Sequence, residues 1–154
     1  MRPFLLIAAI AALLDQGTKV WMTYLLTGHK GIVITPFFQL TLVHNTGAAF
    51  GILAGSETWK RAFFFAIGIL AITFLAFLYR STATRSPFLL WGTALVSGGA
   101  TGNLIDRFRL GAVVDFMDFH LGAYHWPAFN VADMAITVGG ACLALHFMYH
   151  PKQP

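Results

Sequence analysis

Residues 62–79 read "AFFFAIGILAITFLAFLY", eighteen positions in a row without a charged side chain. As a helix at 1.5 Å per residue they span ~27 Å, close to the ~30 Å hydrocarbon core of a bilayer. The stretch is apolar on every side, so it presents no polar face to water and reads as a lipid-facing helix. Its cluster Phe63, Phe64 and Phe65 reads as packing. Outward from it, three more segments are long and apolar enough to cross: about 3–26, 88–105 (after Pro87, a helix-start neighbourhood) and 129–149. The first, "MRPFLLIAAIAALLDQGTKVW", begins like a secretory signal. No small-x-small cleavage site follows, however, and Asp15-Gln16 interrupts before more apolar residues, so it is expected to be an uncleaved span.

Composition agrees. Of 154 residues 57% are hydrophobic and only 10% charged, with mean hydropathy +0.69, against about 25% charged in soluble domains. The expectation is one integral membrane domain, residues 1–154, with four transmembrane helices. Ten Lys/Arg against six Asp/Glu are too few and too scattered for a nucleic-acid footprint. Cys142, the single cysteine, lies in "GGACLALHF" and reads as a small packing residue. The six histidines (29, 44, 120, 125, 146 and 150) are dispersed, and neither H-E-x-x-H nor G-x-S-x-G occurs. No metal or cofactor is expected.

The loops divide unequally. In the first, about 27–61, "FQLTLVHN" alternates and is rich in strand formers, predicting a small β-rich platform. The following "TGAAFGIL" is Gly-rich and apolar, suited to resting on a bilayer. "RSTATRS" (80–86) is a short polar turn. The last loop, about 106–128, "DRFRLGAVVDFMDFHLGAYHWPA", is too apolar for an ordinary solvated connection, and its Trp126 reads as an interface anchor. No internal repeat is visible.

With four spans, parity places the end of the first and third and the start of the second and fourth on one membrane face. Asn45, Asn103, Asp106, Arg107, Asp115, Asn130 and Asp133 all fall there. Asp15, ~20 Å along its helix, lies in the same leaflet. All six acids therefore share one side. Which side is open from charge alone, because Arg2, Arg80, Arg85 and Lys152 on one face balance Lys30, Lys60, Arg61, Arg107 and Arg109 on the other.

Asp15 and Lys19 of "DQGTK" are four apart on one helix face. They fit either an interfacial ion pair, with Lys19 snorkelling outward, or a direct substrate contact. In "SGGATGNLIDR" the small residues permit close backbone approach by a helix or a bound chain. Asn103, Asp106 and Arg107 form a polar stripe there, and Asn103, a turn inside, needs hydrogen-bond partners. Asp115 and Asp118 of "VVDFMDF" must point to opposite faces if extended. Asn130 and Asp133 of "FNVAD" face together from the head of the last helix. An intramembrane Asp is a functional candidate with a partner nearby. Arg107 would make Asp133 a salt bridge; Asp115 would make it a carboxylate dyad sharing a proton, the arrangement that lets one acid activate water while the other donates.

"DQGTK", "HNTGAAFG", "GGATGNLIDR", "VVDFMDF" and "FNVADMAI", in this order on four hydrophobic spans, resemble the lipoprotein signal peptidases, the type II signal peptidases of bacteria. The resemblance covers nearly the whole chain. It implies an inner-membrane aspartyl endopeptidase that cleaves diacylglyceryl-modified prolipoproteins just before the lipidated cysteine. It implies Asp115 and Asp133 as the catalytic pair, with Asn45, Asn103, Asp106, Arg107 and Asn130 lining or ordering the site. Asp15 and Lys19 fall in the family's shell, and Gly99 and Val113 near the substrate chain. It further implies cytoplasmic termini, a periplasmic platform and loops, and inhibition by cyclic peptide antibiotics of the globomycin type; separately, a monomer is expected. The rival readings are a small transporter with Asp15, Lys19 and Asp133 as a relay, and a non-catalytic scaffold. Crowding of polar groups in one leaflet and the lack of a repeat speak against the first. Nothing explains the buried acids in the second.

Overall fold

A computed structural model describes residues 1–47, 57–82 and 86–150. Four helices dominate it: α1 (Arg2–Leu26), α2 (Glu57–Ser81), α3 (Pro87–Leu110) and α4 (Val131–Tyr149). All four carry windows long and apolar enough to span a membrane. Each helix starts or stops where local chemistry dictates. Ser86 caps α3 by accepting the Leu89 N–H at 3.1 Å, and Pro87 follows it, where a missing N–H costs nothing. Gly111 ends α3 at φ 77°, a left-handed conformation that glycine adopts without a Cβ clash. Asn130 caps α4 in a reciprocal box with Asp133.

α3 lies between the others and packs against α1, α2 and α4. Inside a bilayer, lipid tails remove most of the hydrophobic drive between helices, so close contact of small residues holds them together. A side chain at Gly98 would run into the Ala8 carbonyl of α1, and one at Gly99 into the Ala132 carbonyl and Ile136 of α4. Gly92 and Gly139 make the corresponding contact further along. Leu5, Leu6, Leu13, Ile67, Leu70, Phe74 and Phe77 point outward, as expected where hydrocarbon is the solvent. One small core, Phe4, Tyr79, Leu89 and Ala94, closes the end of the bundle where α1 and α3 begin.

At the other end sits a four-stranded antiparallel sheet in the order β1 (Ile32–Thr35), β2 (Phe38–Asn45), β3 (Val113–Leu121) and β4 (Tyr124–His125). β2 coincides with "FQLTLVHN". The platform is larger than the first loop, because "VVDFMDFHL" of the last loop pairs with it, with Val43 opposite Asp115 and Asn45 opposite Val113. That pairing is why the last loop can be so apolar. Met22, Leu26 and Phe116 form the core beneath the sheet. Helices α2 and α3 run past their apolar stretches, to Glu57 and Leu110, while α4 begins two residues inside 129 because Asn130 caps it. Of "TGAAFGIL", residues 48–53 lie outside the described residues, as do residues 83–85 of "RSTATRS".

Candidate active site

The site forms where α1, α3 and α4 meet the sheet. Asp115 on β3 is 2% exposed. Its Oδ2 accepts from Asn45 Nδ2 at 3.0 Å and its Oδ1 from Asn130 Nδ2 at 2.6 Å. Asn45 is a diagonal neighbour across the β2–β3 pair, within reach because Val43 stands directly opposite Asp115. Asn130 also holds Asp133: its Oδ1 accepts the Asp133 N–H at 3.0 Å, and its own N–H donates to Asp133 Oδ2 at 3.2 Å. One asparagine thus touches both carboxylates. Asn103 completes the frame, donating from Nδ2 to Asp133 Oδ1 at 2.9 Å and accepting from Asn130 at 3.3 Å.

Behind the pair stands a fully buried ion cluster. Lys19 Nζ reaches Asp15 Oδ2, Asp106 Oδ2 and Asn103 Oδ1, each at 2.8 Å, which uses all three of its N–H donors. Lys19 is 2% exposed, so it does not snorkel outward. With two buried carboxylates available to pair with it, turning inward is the better solution. The two carboxylates then do structural work. Asp15 Oδ1 accepts the Ala132 N–H at 2.9 Å, fixing the head of α4 beside Asp133. Asp106 Oδ2 accepts the Val114 N–H at 3.1 Å, fixing β3 beside Asp115. Lys19 also sets the orientation of Asn103, because the oxygen of that amide must face the ammonium and its nitrogen must face Asp133.

Burial and the neighbouring Asp133 charge push the Asp115 carboxyl up from its ordinary 3.8 to about 6, against the opposing pull of Asn45, Asn130 and Lys19. Asp133 occupies the first turn of α4, where the helix dipole favours negative charge. Asp118, on the opposite face of β3, accepts from Gln39 at 2.7 Å and pairs with His125 at 2.9 Å, and these contacts hold its carboxyl below the usual range. It takes no part in the pair.

Arg107 does not form the salt bridge that would have competed for Asp133. Its guanidinium lies over the Phe64 ring at 4.7 Å and bonds the Asn103 carbonyl at 3.3 Å, within electrostatic reach of Asp133, Asp115 and Asp106. Gly99 is packed against α4, and Val113 is buried in the sheet opposite Asn45. Sequence reasoning passed over Gln16, which bonds the Gly102 carbonyl at 3.1 Å and Asp106 at 2.9 Å. An amide inside an apolar run needs such partners, and that was the available signal. Gly102 serves this packing too, because a side chain on it would overlap the Asp15 carboxylate.

Four membrane helices, with a raised carboxyl on β3 and a second carboxylate at the head of α4 both bonded by Asn130, have the arrangement of a membrane-embedded hydrolase of the aspartic type. The sequence profile described as "Signal peptidase (SPase) II" matches residues 7–149. A lipoprotein signal peptidase from Janthinobacterium sp. (strain Marseille) is 47% identical over 97% of this chain and 87% of its own length. Another, from Desulforapulum autotrophicum, is 48% identical over 94% and 91%. A bacterial membrane enzyme solved by the in meso method at 1.9 Å superposes with TM-score 0.79 at 34% identity, covering 96% of this chain and 94% of that one. The chain belongs to the signal peptidase II family, and with it to the aspartic endopeptidases and multi-pass proteins of the bacterial inner membrane.

Proposed function

We propose that Asp115 and Asp133 are the catalytic pair with which this chain cleaves diacylglyceryl-modified prolipoproteins just before the lipidated cysteine. The observation that carries this reading is Asn130, bonded to Asp115 at 2.6 Å and to Asp133 through both its side chain and its backbone. A residue so placed holds one carboxyl by its side chain and the other by its backbone N–H, leaving both free to exchange protons with a substrate.

Asp133 is the base in this scheme and Asp115 the acid. Asp133 takes a proton from water as the hydroxide oxygen attacks the scissile carbonyl. Asp115 gives its proton to the carbonyl oxygen, producing a neutral gem-diol. Asp133 then passes its proton to the leaving nitrogen as the C–N bond breaks, and Asp115 recovers a proton from the collapsing diol. Each carboxyl ends as it began. Asp115 suits the acid role because burial favours its neutral form.

The chain is one peptidase domain over residues 1–154, with cytoplasmic termini and with loops 27–61 and 106–128 in the periplasm. This arrangement brings the cleavage point, anchored at fixed depth by its lipid, to the level of the pair. It acts as a monomer, and globomycin-type cyclic peptides inhibit it by binding at the same pair of carboxyls. The test is cleavage of a synthetic prolipoprotein peptide, with and without the diacylglyceryl group, by purified protein in detergent. A product beginning at the lipidated cysteine, and little turnover of the unlipidated peptide, is expected. Equal turnover of both peptides, or cleavage elsewhere, would overturn the assignment.

A further inference from the structure

We infer that the seam between α1 and α3, on the sheet-bearing side of the bundle, binds the headgroup of an acidic glycerophospholipid. A cavity of about 280 Å³ opens there, bounded by Lys19, Thr23 and Tyr24 of α1 and by Asp106 and Arg109 of α3. Its position suits a headgroup. Arg109 is in the last turn of α3, and Tyr24 lies two residues before the end of α1, at the level where polar heads meet hydrocarbon. Val20 and Leu110 at its rim are exposed, as are Trp21 and Phe108 beside it, so the cavity is approached through lipid-facing side chains.

Charge decides the ligand class. Lys19 has no donor left, because Asp15, Asp106 and Asn103 take all three. The Asp106 carboxylate, which would repel a phosphate, is in turn occupied by Lys19, Gln16 and the Val114 N–H. Arg109 has no ion pair or hydrogen bond among the described residues, and neither do the hydroxyls of Thr23 and Tyr24. The cavity therefore presents an exposed, unpaired guanidinium with two free hydroxyls. That set matches a phosphodiester, with the guanidinium on the phosphate oxygens and the hydroxyls on phosphate or headgroup oxygens. A net-negative headgroup fits better than a zwitterionic one, whose ammonium would be brought beside the Arg109 guanidinium.

The experiment uses the full chain purified in detergent, titrated with chain-matched phosphatidylglycerol or phosphatidylcholine and read by native mass spectrometry. Wild type is expected to retain phosphatidylglycerol in preference to phosphatidylcholine. Arg109→Gln is expected to weaken phosphatidylglycerol binding about tenfold or more, the scale of a lost charge-assisted contact. Arg80→Gln, at the other end of the bundle, serves as control and leaves binding unchanged. Thr23→Val is a second probe of the same cavity and weakens binding less. A competition arm with inorganic phosphate separates a lipid site from an ion site: displacement of the lipid by millimolar phosphate would show a free-anion site and overturn the lipid assignment. Equal binding of the two lipids, or unchanged phosphatidylglycerol binding in Arg109→Gln, would also overturn it.

Discussion

Asp115→Asn should make the protein more stable at neutral pH. A carboxyl held at about 6 in the folded state, against 3.8 when unfolded, disfavours folding once it is ionised. The sign follows from proton binding. Between pH 3.8 and about 6 the folded protein holds more protons than the unfolded chain, so stability falls as pH rises through that window. Above it the accumulated cost is about 3 kcal/mol. Asparagine removes the charge but brings a mismatch. Asn45 and Asn130 both donate to Asp115, whereas an amide offers one acceptor oxygen, which costs about 1–2 kcal/mol. The net gain near pH 8 is then about 1–2 kcal/mol, and below pH 4 the variant is the less stable of the two. Thermal unfolding in detergent across pH 4–8, wild type against variant, reads the difference. A difference independent of pH, or one that moves against the variant as pH rises, would falsify the assigned environment of Asp115.

Lys19→Met leaves Asp15 and Asp106 buried without their cation and should cost about 3–5 kcal/mol, seen as a large drop in unfolding temperature; a loss under about 1 kcal/mol contradicts the ion cluster. Asp118→Asn faces away from the pair, toward Gln39 and His125, so cleavage should stay within several-fold of wild type, and inactivation would mean that the wrong acid of β3 was assigned. With Asp115 as the acid, kcat/KM should decline as pH rises past about 6, and a rate that climbs through that range reverses the roles of the two carboxyls.

The helices were legible because eighteen uncharged residues leave a chain few options, and parity alone gathered the acids on one face. The strand in "FQLTLVHN" was legible from alternation. Its partner was not: β3 joins β2 at pairings 68 to 81 positions apart, from Asn45–Val113 to Phe38–Phe119, and nothing local in "VVDFMDF" says which strand it meets. Alternation did place Asp115 and Asp118 on opposite faces, but not which one is turned to Asp133. Spacing put Asp15 and Lys19 together yet left Lys19 to point either way, since the two carboxylates that draw it inward come from different helices. The structural duty of Asp15, holding the Ala132 N–H of α4, depends on packing set by Gly98, Gly99 and Gly102 and had no sequence signature.

The most direct test of the account is whether the two carboxyls work as one unit. Single-turnover cleavage of the diacylglyceryl prolipoprotein peptide should be measured for Asp115→Asn, Asp133→Asn and the double variant, each checked for folding by its unfolding transition. Either single substitution should lower the rate about a thousandfold or more, and the double variant should be no worse than either single one. Losses that multiply in the double variant, or a folded single variant that still cleaves at a wild-type rate, would contradict it.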